Sequence, residues 1–166
     1  MASLPELRRL MRYNAWANRV IYDAVAALPE GEAVKERPTL FKTIVNTLNH
    51  LYVVDLIWQA HLEGRPHGIP ALNAVLHPEL AELRRAQNDI DAWYMSWSDA
   101  LTEAAAEGTI RFTLIGGNEG EMRRADVLFH LVNHTSYHRG FVADLFFQIP
   151  ARPPLTDFPI FLREGG

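Results

Sequence analysis

"LFHLVNHTSYHRGF", residues 128–141, sets three histidines four apart, at His130, His134 and His138. In a helix, side chains four apart lie about 40° from each other and about 6 Å along the axis. His134 and His138 therefore share one face, one turn apart, and from that spacing two imidazoles reach one metal ion. His130 lies about 80° from His138 and a further turn away, so the three hardly converge on a single ion. A third ligand then has to come from another helix. A purely structural alternative stands beside this reading, because imidazoles on an apolar face also hydrogen-bond a backbone carbonyl or a tyrosine hydroxyl.

The sequence around this stretch is organised as helices. The histidine helix is expected from about Ala125 to Gln148, with Pro150 ending it. Before it, "TIRFTLIGGNEGEMRR" (109–124) breaks the helical period. Ile110, Phe112 and Leu114 alternate ahead of a glycine-rich turn, which predicts a short β-hairpin. Upstream, Pro78 opens a third helix expected to run to Glu107 and stop at Gly108. Residues 64–77, "GRPHGIPALNAVLH", are rich in turn formers and read as a connection. Thr39 is the expected cap of a second helix over 40–63, whose apolar face carries Ile44, Leu48, Leu51, Val54 and Ile57 and which Gly64 stops. The first helix has a capping-box pattern, Ser3 with Glu6, and Pro5 in its first turn; it should end near Leu28, before Pro29 and Gly31. The tail "ARPPLTDFPIFLREGG" is expected to pack as an extended strap through Phe158, Ile160 and Phe161.

The expected fold is therefore all-α: a four-helix bundle in a single domain over 1–166, with a short β-hairpin before the last helix. The 64–77 connection is long enough to cross the bundle end to end, so simple up-down-up-down topology is not forced. A chain of 166 residues, 48% of them hydrophobic, suffices for one buried core. The net charge of −4 and the scattered arginines give no basic face, so no nucleic-acid partner is expected. The absence of cysteine excludes disulfides, thiolate ligands and a thiol nucleophile carried by the chain. The opening "MASLPELRRLMRYNAWANRV" lacks the apolar core of a signal peptide, and no window has the apolar length needed to span a bilayer. A cytoplasmic, soluble protein with no membrane partner is the expectation.

His50 is the best third ligand. It sits on the apolar face of the second helix with Leu51, Val54 and Ile57, and its distance from the expected helix start resembles that of His134. His61, His67 and His77 fall at a helix end or in the connection and are read as solvated. Asp55 is about 140° round the helix from His50. It reads as a surface or salt-bridge residue, or as a partner that orients His130. Arg139 reads as a structural ion pair or as an attractor of an anionic substrate. Asn14, Trp16 and Trp58 read as packing or hydrogen-bonding residues, and no general base stands out.

"YNAWAN" at 13–18, "NTLNHLYVVDLIW" at 46–58 and "HLVNHTSYHRG" at 130–140 together resemble the DinB family. The match runs in order over nearly the whole chain, and N-H-x-x-x-H-R-G is its most specific part. The resemblance implies a metal-binding four-helix bundle of up-down-down-up course. It also implies a metal triad of His50, His134 and His138, the same residues that spacing selects. After H-R-G the family commonly has Gln, where this chain has Phe141, so a polar supporting role at that position is in doubt. Pairing of bundles as a homodimer is a further implication, and Trp93, Tyr94 and Trp97 permit it without requiring it.

Three neutral imidazoles with an open position are the arrangement of a catalytic rather than a closed structural site. They suit a divalent transition metal, zinc or nickel foremost, with iron or copper also compatible. The wider superfamily that DinB proteins resemble includes thiol-dependent S-transferases and metal-dependent hydrolases. The expected function is thus a metal-dependent enzyme acting on a small-molecule substrate, with a low-molecular-weight thiol as cosubstrate if thiol chemistry is used. The alternative is a non-catalytic metal-binding stress-response protein.

Overall fold

The computed structural model of the chain describes residues 3–164. Helix α1 spans Leu4–Ala26, and its capping box is formed: the Ser3 backbone N–H donates to Glu6 Oε2 at 2.7 Å. Helix α2 spans Ile44–Leu62, later than expected. Lys42 takes a left-handed φ of 67° and breaks any helix begun at Thr39. The cap is Thr43, whose hydroxyl accepts from the Asn46 N–H at 2.9 Å.

Helix α3 spans Leu80–Ala100. It does not continue to Glu107, because Leu101 is extended (ψ 133°) and Thr102 caps a separate short helix α4, Glu103–Glu107. The break is held from across the bundle, where the Arg8 guanidinium donates to the carbonyls of Ser98, Asp99 and Leu101 at the helix end. The hairpin pairs β1 (Thr109–Thr113) with β2 (Glu119–Arg123) antiparallel, Phe112 facing Gly120. Helix α5, Arg124–Leu145, closes through a 3₁₀ turn at Phe146–Gln148. The tail is not purely an extended strap. Pro159 suits the first turn of a short helix α6, Phe158–Arg163, whose Phe161 packs on Tyr13 and Trp16 of α1.

Side-chain pairs fix the course of the bundle. Asp23 meets Arg84 and Arg12 meets Asp99, so α1 and α3 are antiparallel. Trp58 lies against His130 and His50 against His138, so α2 and α5 are antiparallel. Asn14 pairs with Thr135 and Asn18 with Arg139, so α1 and α5 are parallel. The result is up-down-down-up, with residues 64–79 carrying the chain back along the bundle. Asn49 stitches this crossover to α2: its Oδ1 accepts from the N–H groups of Leu76 and His77, and its Nδ2 donates to the His77 carbonyl.

Apolar packing fills both ends of the bundle. Leu7, Met11, Leu62, Leu101 and Leu128 belong to one cluster; Ile21, Val25, Leu48, Leu83 and Leu145 belong to the other. Burying one such leucine contributes about 1.5–3 kcal/mol. Between them, halfway along, runs a band of buried polar side chains: Asn14, Asn18, Asp55, Gln87, Asp91 and Arg139.

Candidate metal centre

The three histidines singled out in the sequence meet at the level of this band. His50 Nε2 lies 3.1 Å from His134 Nε2 and 3.2 Å from His138 Nε2, and no carboxylate joins the group among the described residues. The match of heights rests on antiparallel packing rather than on equal distance from helix starts. His50 comes early in α2 and His138 late in α5, which brings them level. Along α5, Thr135 and Arg139 turn toward α1 while His134 and His138 turn toward α2.

The chemistry of the donors suits a cation. His50 Nδ1 lies 2.8 Å from the Leu72 carbonyl, which only accepts, so Nδ1 carries the hydrogen and Nε2 presents a lone pair. That lone pair faces two more imidazole nitrogens. Three Nε2 atoms about a tetrahedral ion at about 2.0 Å would stand about 3.3 Å apart, close to the distances seen. Burial holds all three rings neutral. It pushes His134 down to about 3, with the neighbouring His138, His50 and His130 adding to the effect. It pushes His138 down to about 4, with His50 adding. It lowers His50 too, against the opposing bond from Leu72. Phe41 stacks on His50 at 4.3 Å and meets His138 edge-on at 5.6 Å, covering one side of the cluster.

A cavity of about 260 Å³ opens beside the cluster, lined by His50 and His134 and by Val54, Ile57 and Trp58 of α2. His130 lines it as well, outside the triad as helical geometry requires, with its ring 5.0 Å from Trp58 and burial lowering its pKa. Leu72 of the crossover, with Leu114 and Ile115 of the hairpin turn, completes the wall.

Other sequence expectations are corrected. Asp55 is not a surface residue and does not orient His130. It is 1% exposed, accepts from Gln87 Nε2 at 2.8 Å, and its carboxyl is pushed up to about 8 by burial and by Asp91. Asp91, unremarked in the sequence, is pushed up to about 6 by burial, opposed by bonds from Asn18 and Gln87. Arg139 is buried and donates to Asn14, Asn18 and Ser136, so it is not positioned to attract a substrate anion. His61 is half-buried and packs against Trp58 and His67 rather than standing in solvent. Asn14, Trp16 and Trp58 have packing or hydrogen-bonding roles, Trp16 donating to Glu164 at 3.0 Å. Phe141 packs its ring 5.2 Å from His138, so nothing polar occupies that position. Tyr94 is core, its hydroxyl donating to the Asp55 carbonyl, whereas Trp93 and Trp97 are half-buried. The Leu72 carbonyl and the Phe41 ring are the site features that sequence reasoning missed. One is a backbone group and the other sits in a loop, and neither carries a periodic signal.

These features define a helical-bundle protein with a three-histidine cluster able to hold a metal ion. Residues 3–165 match the DinB family, and the chain belongs to it. Protein DinB of Bacillus subtilis (strain 168) is 25% identical over 167 residues, covering 93% of this chain and 92% of the relative. The crystal structure of a DinB-like protein from Bacillus cereus ATCC 10987 superposes with a TM-score of 0.66 at 14% identity, over 88% of this chain and 94% of that one. No helix among the described residues is long and apolar enough to cross a membrane.

Proposed function

We propose that this protein is a metal-dependent enzyme that transfers or hydrolyses a group on a small molecule at the His50, His134 and His138 centre. The observation that carries the reading is the convergence of three neutral Nε2 atoms beside a cavity. A divalent transition ion held there supplies Lewis acidity, lowering the pKa of a water or thiol that it binds. The chain's own contributions are specific. The Leu72 carbonyl fixes the His50 tautomer, Phe41 excludes water from one side, and burial keeps protons from competing for the rings. Because the chain has no cysteine, thiol chemistry here uses a low-molecular-weight thiol from solution.

A second reading has one observation in its favour. Among the described residues no carboxylate lines the cavity, and His130 is the one ionisable side chain there outside the triad, which suits a non-catalytic metal-binding stress-response protein. The experiment that separates the two incubates zinc- or nickel-loaded protein with low-molecular-weight thiols plus a panel of electrophiles, and with esters and amides. Thiol loss or hydrolysis above the His134→Ala background supports the enzyme. Absence of turnover across the panel supports the non-catalytic protein.

A further inference from the structure

We infer that the cavity beside the triad receives an uncharged apolar group, aliphatic or aromatic, belonging to the molecule whose donor atom meets the metal centre. This rests on the metal-dependent reading above. An apolar cavity of about 150 Å³ already accommodates benzene. The space here, about 260 Å³, takes a ring with a short chain attached. His50 and His134 belong both to the triad and to the cavity lining, so a molecule seated in the cavity has one end at the Nε2 cluster.

The lining excludes a charged group. Its ionisable members are His50, His130 and His134, two of which turn their Nε2 atoms to the triad, with no aspartate, glutamate, lysine or arginine among the described lining residues. A charged group placed there, away from the ion at the triad, would lose its hydration without gaining a partner from the lining. A larger groove of about 550 Å³ lies outside, along His61, His67, Arg65 and Arg111. It is open, and its two arginines are already paired with Glu63 and Glu121.

The wall itself is shaped for an apolar occupant. Leu72 and Leu114 line the cavity yet leave 46% and 44% of their surface exposed, apolar area that a ligand would cover. Both come from loops anchored through their backbone, the Leu114 N–H donating to the Asn118 carbonyl at 2.8 Å. Leu72 is tied through its carbonyl to His50, and Leu114 opens a turn whose Gly116 and Gly117 take φ of 105° and 90°. His130 lines the cavity with its ring 5.0 Å from Trp58, so the imidazole offers a polar contact to an otherwise apolar guest.

The test titrates cobalt(II)-loaded protein with 1-alkanethiols from ethanethiol to hexanethiol and reads affinity from the thiolate-to-cobalt charge-transfer band. Affinity should rise by about fourfold per methylene until the cavity is filled, the ratio expected for burial of one CH₂. Cysteamine, which puts an ammonium where propanethiol has a methyl, should bind more weakly than propanethiol. Ile115→Asp, at the exposed turn, should flatten the dependence on chain length, and Ile115→Trp should penalise hexanethiol more than ethanethiol. A band for every thiol with affinity independent of length overturns the apolar cavity while leaving the metal centre standing. No band with any thiol on protein that holds cobalt overturns the thiol-binding reading and this inference with it.

Discussion

Replacing Asp55 by asparagine tests the buried polar band and, with it, the packing that brings α2 to α5. Asp55 is fully enclosed and its carboxyl is pushed up to about 8 from 3.8. A carboxyl whose folded pKa is raised keeps its proton in the folded chain after the unfolded chain has lost it. Stability from this group is therefore full below pH 3.8 and is lost as pH rises toward the folded value of about 8. Between pH 7 and 9 the unfolded aspartate is ionised throughout, while the folded one crosses its midpoint. The stability lost across that window is about 1.4 kcal/mol. Asparagine has nearly the same shape and keeps the acceptor for Gln87 Nε2, but cannot ionise.

The buried histidines act in the opposite sense. Their lowered pKa values make stability rise with pH up to the unfolded value of 6.5, but they do so in both proteins and cancel in the difference. Urea unfolding of metal-free protein at pH 7 and 9 gives the answer. The advantage of Asp55→Asn over the parent should grow by about 1.4 kcal/mol, a relative midpoint change of roughly 0.5–1.4 M at ordinary urea slopes. A difference that stays constant with pH would show that Asp55 ionises as freely in the folded chain as in the unfolded one, and the argument for a buried neutral carboxyl would fail.

Three further outcomes are expected. Because His134 and His138 are pushed down to about 3 and 4 and His50 is also lowered, protons compete weakly for the site. Metal affinity, read by competition with a chelating dye, should change less than about fourfold between pH 6 and 7.5, where three ordinary imidazoles would give about fiftyfold. Arg139→Met removes the donor to Asn14 and Asn18 and the positive charge near Asp91 and Asp55. It should cost about 3 kcal/mol in urea unfolding, and a loss under about 1 kcal/mol would mean the network carries no weight. Asn49→Ala unties the crossover that brings the Leu72 carbonyl to His50, and metal affinity should fall at least about tenfold.

Much of the site was legible in the sequence because helical spacing is a physical constraint. His134 and His138 had to share a face, and His50 stood on the apolar stripe of another helix. The capping box at Ser3 and the glycine stop at Gly64, which takes φ of 68°, were equally explicit. The second helix start was not, because Thr39 and Thr43 cap equally well on paper and the deciding residue, Lys42, adopts a left-handed turn that its type does not advertise. The break at Leu101 has no glycine or proline to mark it; it depends on Arg8, which is distant in sequence. Asp55 and Arg139 read as surface charges because a polar residue on a buried face becomes visible only when its partners are placed. Gln87 and Tyr94 on α3 partner Asp55, and Asn14 and Asn18 on α1 partner Arg139, each pair at helical spacing, and that periodicity was the available signal.

The most direct test of the central claim is metal content after equilibrium dialysis against zinc, measured by elemental analysis on the parent chain and on His50→Ala, His134→Ala and His138→Ala. The account predicts close to one ion per chain in the parent and a marked loss in each variant, with far-UV circular dichroism confirming that the bundle still folds. A folded parent that retains no ion, or a His134→Ala protein that binds zinc as well as the parent does, would contradict it.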